Sequence, residues 1–275
     1  MGRFELHCHS HYSKGTKIPW EGLPSPREII MHAKRLGLSG AAITDHDSTK
    51  CWKGAGEEAK RQGMIFIPSM EVSSAEGHII GLGLTQGIRS GLSAEETADS
   101  IRGQGGVAIA AHPFDVRGFG IGRKIILMDA VEVFNAMSLD RVSNRFAESM
   151  AEKAGKPKLA GSDAHSLEML GLAANLISAQ DAESVLRMIR KGRLAFERRY
   201  IPMDVVMEWI RERLIRSYGD VAGHINSNYS PPKAWLAKNM LRRFVLSRSP
   251  FWDMLGGFGI GMSRLYSSIK LLRYW

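Results

Sequence analysis

The chain has 275 residues and a mass of 30.4 kDa, with 44% hydrophobic and 24% charged residues. This excludes a mainly disordered protein and allows one large α/β domain, or a domain of about 200 residues with an appendage. The net charge of +9 is uneven: residues 201–275 hold eleven Lys/Arg against five Asp/Glu, so any affinity for polyanions belongs mainly to the last quarter. Two cysteines, Cys8 and Cys51, give neither a disulfide framework nor a CxxC zinc ribbon. That usage, the lack of a basic-plus-apolar leader and the lack of any run near the roughly 18 apolar residues that span a bilayer lead us to expect a cytoplasmic protein with no transmembrane segment.

Short apolar runs alternate with helical patterns, the signature of βα units. Strands are predicted near residues 3–8, 38–44, 64–70, 78–84, 106–111, 129–134 and 158–162. Between them, SPREIIMHAKRLG predicts a helix with Ser25 as N-cap, Pro26 in the first turn and Gly37 past its end. SAEETADSIRGQGG pairs Ser93 with Glu96 at capping-box spacing and ends on Gly105 and Gly106. Residues 139–155 and 181–191 read as two further helices.

Six histidines, His7, His9, His46, His78, His112 and His165, lie at the ends of these apolar runs, together with Glu71 and Asp163. Every one except His78 falls at the C-terminal end of its strand or just beyond, the face on which side chains converge in α/β barrels. His78 opens its run instead, so that strand is expected to be antiparallel or the residue to sit in a turn. His7 and His9 are two apart and share one face of a strand, with Cys8 pointing the other way into the core. Asp163 and His165 repeat that spacing, and Glu71 is a carboxylate able to bridge two ions. Eight such N and O donors suit Zn, Mn or Fe. Singly, each residue has a plainer reading, such as Asp163 as a helix N-cap; six histidines at strand ends favour metal ligation. His11, His32 and His224 read as structural.

The ordered motifs HCHSHYS, AITDHD, a Glu followed by GHIIGLG, AHPF, AVEVFNA and GSDAH resemble the PHP (polymerase and histidinol phosphatase) family over residues 3 to about 197. The resemblance implies a distorted (β/α)7 TIM-like barrel and metal-dependent phosphoester hydrolysis by attack of metal-activated water. It implies His7, His9, Glu71 and Asp163 as ligands of a first metal, with Glu71 bridging, His78 and His112 as ligands of a second, and His46 and His165 of a third. Residues 1–197 would form this domain and 198–275 a mainly helical basic extension.

One position departs from the pattern. Three-metal members carry Asp where this chain has Lys14, and an ammonium has no lone pair for a cation. The expectation is therefore two firmly held divalent ions, a third binding only if Lys14 swings into solvent, with Lys14 holding substrate phosphate. His46 or His165, freed from a third metal, would serve as the catalytic proton donor. The basic, glycine-rich FDVRGFGIGRK segment offers Arg117 to the substrate, and Asn135 is a further candidate substrate contact.

The expected substrate is a small phosphorylated metabolite or nucleotide. Alternatives are a nuclease on single-stranded nucleic acid and a catalytically weak metal-binding scaffold. An amidohydrolase is disfavoured, because its ligand order, with a carbamylated lysine as the bridge, is not reproduced. In the extension, Val206, Trp209, Ile210 and Leu214 form one apolar series expected to pack on the barrel. Its mixture of basic and aromatic residues also suits nucleic acid or an anionic membrane surface.

Overall fold

The computed structural model describes residues 1–15 and 18–272. In chain order its elements are β1 (Gly2–Glu5), α1 (Pro26–Arg35), β2 (Gly40–Ala41), α2 (Trp52–Gln62), β3 (Ile65–Phe66), β4 (Ser69–Ser74), β5 (Gly77–Leu82), α3 (Ala94–Gly103), β6 (Val107–Ala110), β7 (Ala130–Asn135), α4 (Val142–Lys153), β8 (Lys158–Gly161), β9 (Ala173–Ile177), α5 (Ala182–Arg190) and β10 (Ala195–Arg198). Four helices follow: α6 (Met203–Arg216), α7 (Tyr218–Asn228), α8 (Pro231–Leu246) and α9 (Pro250–Leu271).

Local chemistry explains the helix starts. Ser25 and Ser93 cap α1 and α3, and each closes a reciprocal capping box with the glutamate three residues on, Glu28 and Glu96. Such a cap is worth about 1 kcal/mol. Asp181 caps α5 in the same way through Ser184.

The strands form two five-stranded sheets, ordered β10-β9-β1-β2-β3 and β4-β5-β6-β7-β8. The α/β class is as expected; among the described residues the strands do not close into a ring, which leaves the distorted (β/α)7 barrel of the resemblance without support from the strand order. The sheets meet through isolated bridges, Cys8 with Ala164 and His46 with Glu71. β5 runs antiparallel to both β4 and β6, which interrupts the βα repeat at the strand that His78 helps to open. Apolar side chains from both sheets pack into a core that includes Phe4, Leu6, Ile80, Leu82, Ile109 and Leu159. Cys8 is buried with its thiol donating to the Ala42 carbonyl, away from the flanking histidines, and both cysteines are free.

α9 packs against α4 and α6, and α8 packs against α6 and α7. No described helix is long and apolar enough to cross a membrane.

Candidate metal centre

His7 and His9 follow β1, and the side chains of Glu71 from β4 and Asp163 after β8 meet them. Nε2 of His7 lies 3.3 Å from Nε2 of His9, 3.2 Å from Glu71 Oε2 and 3.4 Å from Asp163 Oδ1. Nε2 of His9 lies 3.2 Å from the same Glu71 oxygen and 3.1 Å from Asp163 Oδ1. A tetrahedral ion with metal–nitrogen bonds of about 2.0–2.1 Å needs ligand–ligand edges of about 3.3–3.4 Å. The five separations given above, 3.1–3.4 Å, lie close to that spacing.

The opposite rings' edges show which way the lone pairs point. His7 Nδ1 donates to Glu132 Oε1 at 2.8 Å. His9 Nδ1 donates to Ser13 Oγ at 2.9 Å, and that hydroxyl donates onward to Asp45 at 3.1 Å. Both imidazoles are thus oriented from behind by a carboxylate, and their Nε2 lone pairs converge on two carboxylate oxygens. Four acceptors facing one another in a buried place repel unless something positive sits among them. The titration behaviour reflects this demand. Burial opposes charge on His9, yet Asp163 and Glu71 push it up to about 10. Burial would raise Glu71 as well, but the surrounding imidazoles of His46, His7 and His78 hold it well below the usual carboxylate range.

The second oxygen of Glu71 faces the other side. Oε1 lies 3.0 Å from His78 Nδ1 and 3.0 Å from His112 Nε2. His78 Nδ1 is buried and makes no hydrogen bond despite that distance, as expected for a lone pair directed at a shared ion. One carboxylate therefore joins two imidazole pairs.

His46 and His165 form a third group around a carboxylate that sequence reading passed over. His46 Nε2 lies 3.8 Å from Glu21 Oε2, and His165 Nε2 lies 4.0 Å from Glu21 Oε1. His165 Nδ1 donates to the Asp163 carbonyl at 2.7 Å, which leaves its Nε2 with a lone pair. Burial holds His46 at about 3 and His165 at about 4, with Glu71 opposing for His46 and the His9 charge adding for His165. Both are neutral at pH 7. Lys14 is exposed, its Nζ lying 3.9 Å from the centre of the Trp20 ring.

Backbone strain collects at the ligands. His112 and Asp163 have φ of 27° and 52°, left-handed values that non-glycine residues seldom adopt. At Gly161 a Cβ would overlap Glu132 Oε1 and crowd His7 Cβ, so the glycine makes room for the carboxylate that orients His7. Glu132 also accepts from the His112 backbone N–H at 2.8 Å and from Asn135 Nδ2 at 3.0 Å. Asn135 donates to Asp163 Oδ2 at 3.2 Å as well, so it stands behind the ligands rather than among the residues lining the pocket.

Above the cluster is a cavity of about 350 Å³. Phe119, from the glycine-rich segment, stacks on His78 with ring centres 5.1 Å apart, and Arg117 lines the same wall while paired with Asp115. The facing wall comes from α6. The Trp209 ring lies 5.0 Å from His165 and its Nε1 donates to the Glu21 carbonyl at 2.9 Å. Arg213 Nε donates to the Trp20 carbonyl at 2.6 Å, and its guanidinium also lines the cavity beside Lys14. The sequence placed Trp209 correctly on a packing face; that face covers the histidine cluster. His11, His32 and His224 do not line the cavity.

A family profile described as PHP-associated matches residues 141–194. An uncharacterized protein of Methanocaldococcus jannaschii is 38% identical over 149 residues, covering 52% of this chain and 87% of that protein. The chain belongs to the PHP family. A crystal structure of a two-domain protein from Bacteroides vulgatus, containing a predicted PHP-like metal-dependent phosphoesterase, superposes with a TM-score of 0.59 at 16% identity, covering 77% of this chain and 69% of that one. The PHP fold is thus shared across most of both molecules. A 3',5'-nucleoside bisphosphate phosphatase of Chromobacterium violaceum is 35% identical over 88 residues, which are 30% of this PHP chain and 28% of that enzyme. This chain therefore spans less than a third of that relative.

Proposed function

We propose that this PHP protein is a metal-dependent phosphoesterase that releases phosphate from a small phosphorylated metabolite or nucleotide. The observation that carries the reading is Glu71: one buried carboxylate presents each oxygen to a separate pair of imidazoles beneath a cavity walled by cationic side chains. His7, His9, Asp163 and Glu71 would hold one cation, and His78 and His112 with Glu71 a second. His46 and His165 with Glu21 would complete a third position, while the Lys14 ammonium rests over the Trp20 ring. Nitrogen and oxygen donors of this kind suit Zn, Mn or Fe. Divalent ions bound there would supply Lewis acidity toward a phosphoryl group and a water acidic enough to react near pH 7.

The chain's own groups do the rest. Arg213, Arg117 and Lys14 attract the phosphate oxygens and fix the ester above the cluster. Trp209 and Phe119 keep bulk water from two sides. The neutral form in which burial keeps His46 and His165 has a lone pair to offer, which suits ligation or proton acceptance and speaks against the sequence expectation that either is the proton donor. Residues 1–197 form the phosphoesterase domain in this reading, and the extension from residue 198 completes its pocket.

The walls of α6 and the Phe119 segment favour a compact ester over a nucleic-acid strand, which needs an open groove. A phosphate-release screen with Mn, Zn and Fe over mononucleotides, bisphosphate nucleotides, sugar phosphates and short oligonucleotides tests the reading. Release from small esters supports it; release from oligonucleotides alone transfers the assignment to a nuclease, and silence with metal bound leaves the scaffold reading.

A further inference from the structure

The outer face of α9 is apolar and uncovered. Phe251, Leu255, Phe258, Met262, Leu265 and Ile269 recur at alternating spacings of four and three, and all are exposed, Phe258 by 68% and Leu265 by 57%. Met254 and Tyr266, also exposed, flank them. At 3.6 residues per turn these side chains fill an arc of about 120° along a helix about 33 Å long. The inner face is already used: Ser267 and Leu271 are buried, and Gly256 lies against Met203 and Met207 of α6. The outward stripe is therefore not a packing face waiting for the rest of the domain.

Charge identifies what it meets. Over residues 231–272 the only acidic residue is Asp253. Lys233, Lys238, Arg242 and Arg243 lie on α8, whose Phe244 ring meets Trp252 of α9 with centres 5.1 Å apart, and none of the four makes an ion pair among the described residues. We propose that α9 lies flat on an anionic lipid surface, its apolar stripe entering the headgroup region and the neighbouring cations meeting the lipid phosphates. A second copy of this chain would bring the same excess of positive charge against itself, and the arc is wider than the narrow seam of a two-helix coil. A nucleic acid would pair with the cations but offers no apolar counterpart to Phe258, Met262, Leu265 and Ile269.

The test is co-sedimentation of the full chain with phosphatidylcholine vesicles and with mixed phosphatidylcholine–phosphatidylglycerol vesicles, across salt. The expected result is binding to the anionic vesicles only, weakened by salt. Phe258→Ser with Leu265→Ser should lower the bound fraction about tenfold, and Arg242→Gln with Arg243→Gln should lower it by a smaller, salt-sensitive factor. Both pairs are exposed, so unchanged circular dichroism and unchanged phosphate release from a soluble ester are expected alongside. No binding to anionic vesicles at low salt overturns the proposal. So does binding that the apolar variants retain while a single-stranded oligonucleotide competes it away, or a dimer in light scattering that Phe258→Ser dissolves without any vesicle binding.

Discussion

The floor and the wall of the pocket are built differently. On the floor, His7 and His9 each have one ring nitrogen tied to a carboxylate, directly or through Ser13, and the residues behind them are buried and mutually bonded. The wall is looser: Trp209 and Arg213 hang from α6 by bonds to backbone carbonyls near residues 18–21, and Lys14 rests on the Trp20 ring. Rigid placement suits ions, whose affinity depends on ligand geometry, and an adjustable rim suits recognition of an organic group. Floor variants should therefore remove chemistry, and wall variants should change what is admitted.

The largest effect is expected for Glu71→Gln, which removes the charge shared by both imidazole pairs. Turnover should fall by about 10³-fold or more with the fold intact. Next is Glu132→Gln, behind His7. Loss of an orienting carboxylate typically costs about 10–100-fold in metal affinity, to be read by competition with a chelating dye. An affinity equal to that of wild type would mean that the floor is less constrained than its hydrogen bonds suggest.

On the wall, Arg213→Gln should raise KM about tenfold with kcat and metal content nearly unchanged, as for a group binding ground and transition states alike. An equal fall in kcat and kcat/KM would move Arg213 from the wall into the chemistry. A smaller KM effect is expected for exposed Lys14→Ala.

In the metal-free protein the pH dependences of the buried groups should offset one another. His46 and His165 have folded values of about 3 and 4, below the unfolded value near 6.5, so the unfolded chain binds more protons in between. Stability from these groups is present above pH 6.5 and is lost as pH falls toward 4. Glu5, which burial raises to about 7 against hydrogen bonds that lower it, opposes this loss by about one proton. His7, His9 and His112 are raised by the carboxylates around them and also bind more protons folded than unfolded in this interval, so with Glu5 they offset the pair, and Tm in chelator, measured by scanning calorimetry, should change little between pH 7 and 5. A Tm that falls by many degrees over that interval would contradict this balance of raised and lowered groups.

What could be read from the sequence follows the same division. His7 and His9 were legible because the i, i+2 spacing on a strand fixes a common face, and the capped helices were legible because Ser25 and Ser93 act on residues three positions away. Glu132 lies in AVEVFNA, where a charge inside an apolar strand was the available signal, but its meaning depends on His7, 125 residues earlier. Glu21 and Trp209 likewise gain their roles from contacts that no local pattern encodes. α2 was missed because Gly54 and Gly56 dilute its helical pattern, and β9 and β10 because one contains Asn175 and the other is a short, largely exposed edge.

Whether Glu71 organises a catalytic metal cluster is decided by comparing phosphate release from a small ester by metal-reloaded wild type and Glu71→Gln. The prediction is metal-dependent release by wild type and none above background from a variant with the same circular dichroism. Release by the variant at the wild-type rate would contradict it.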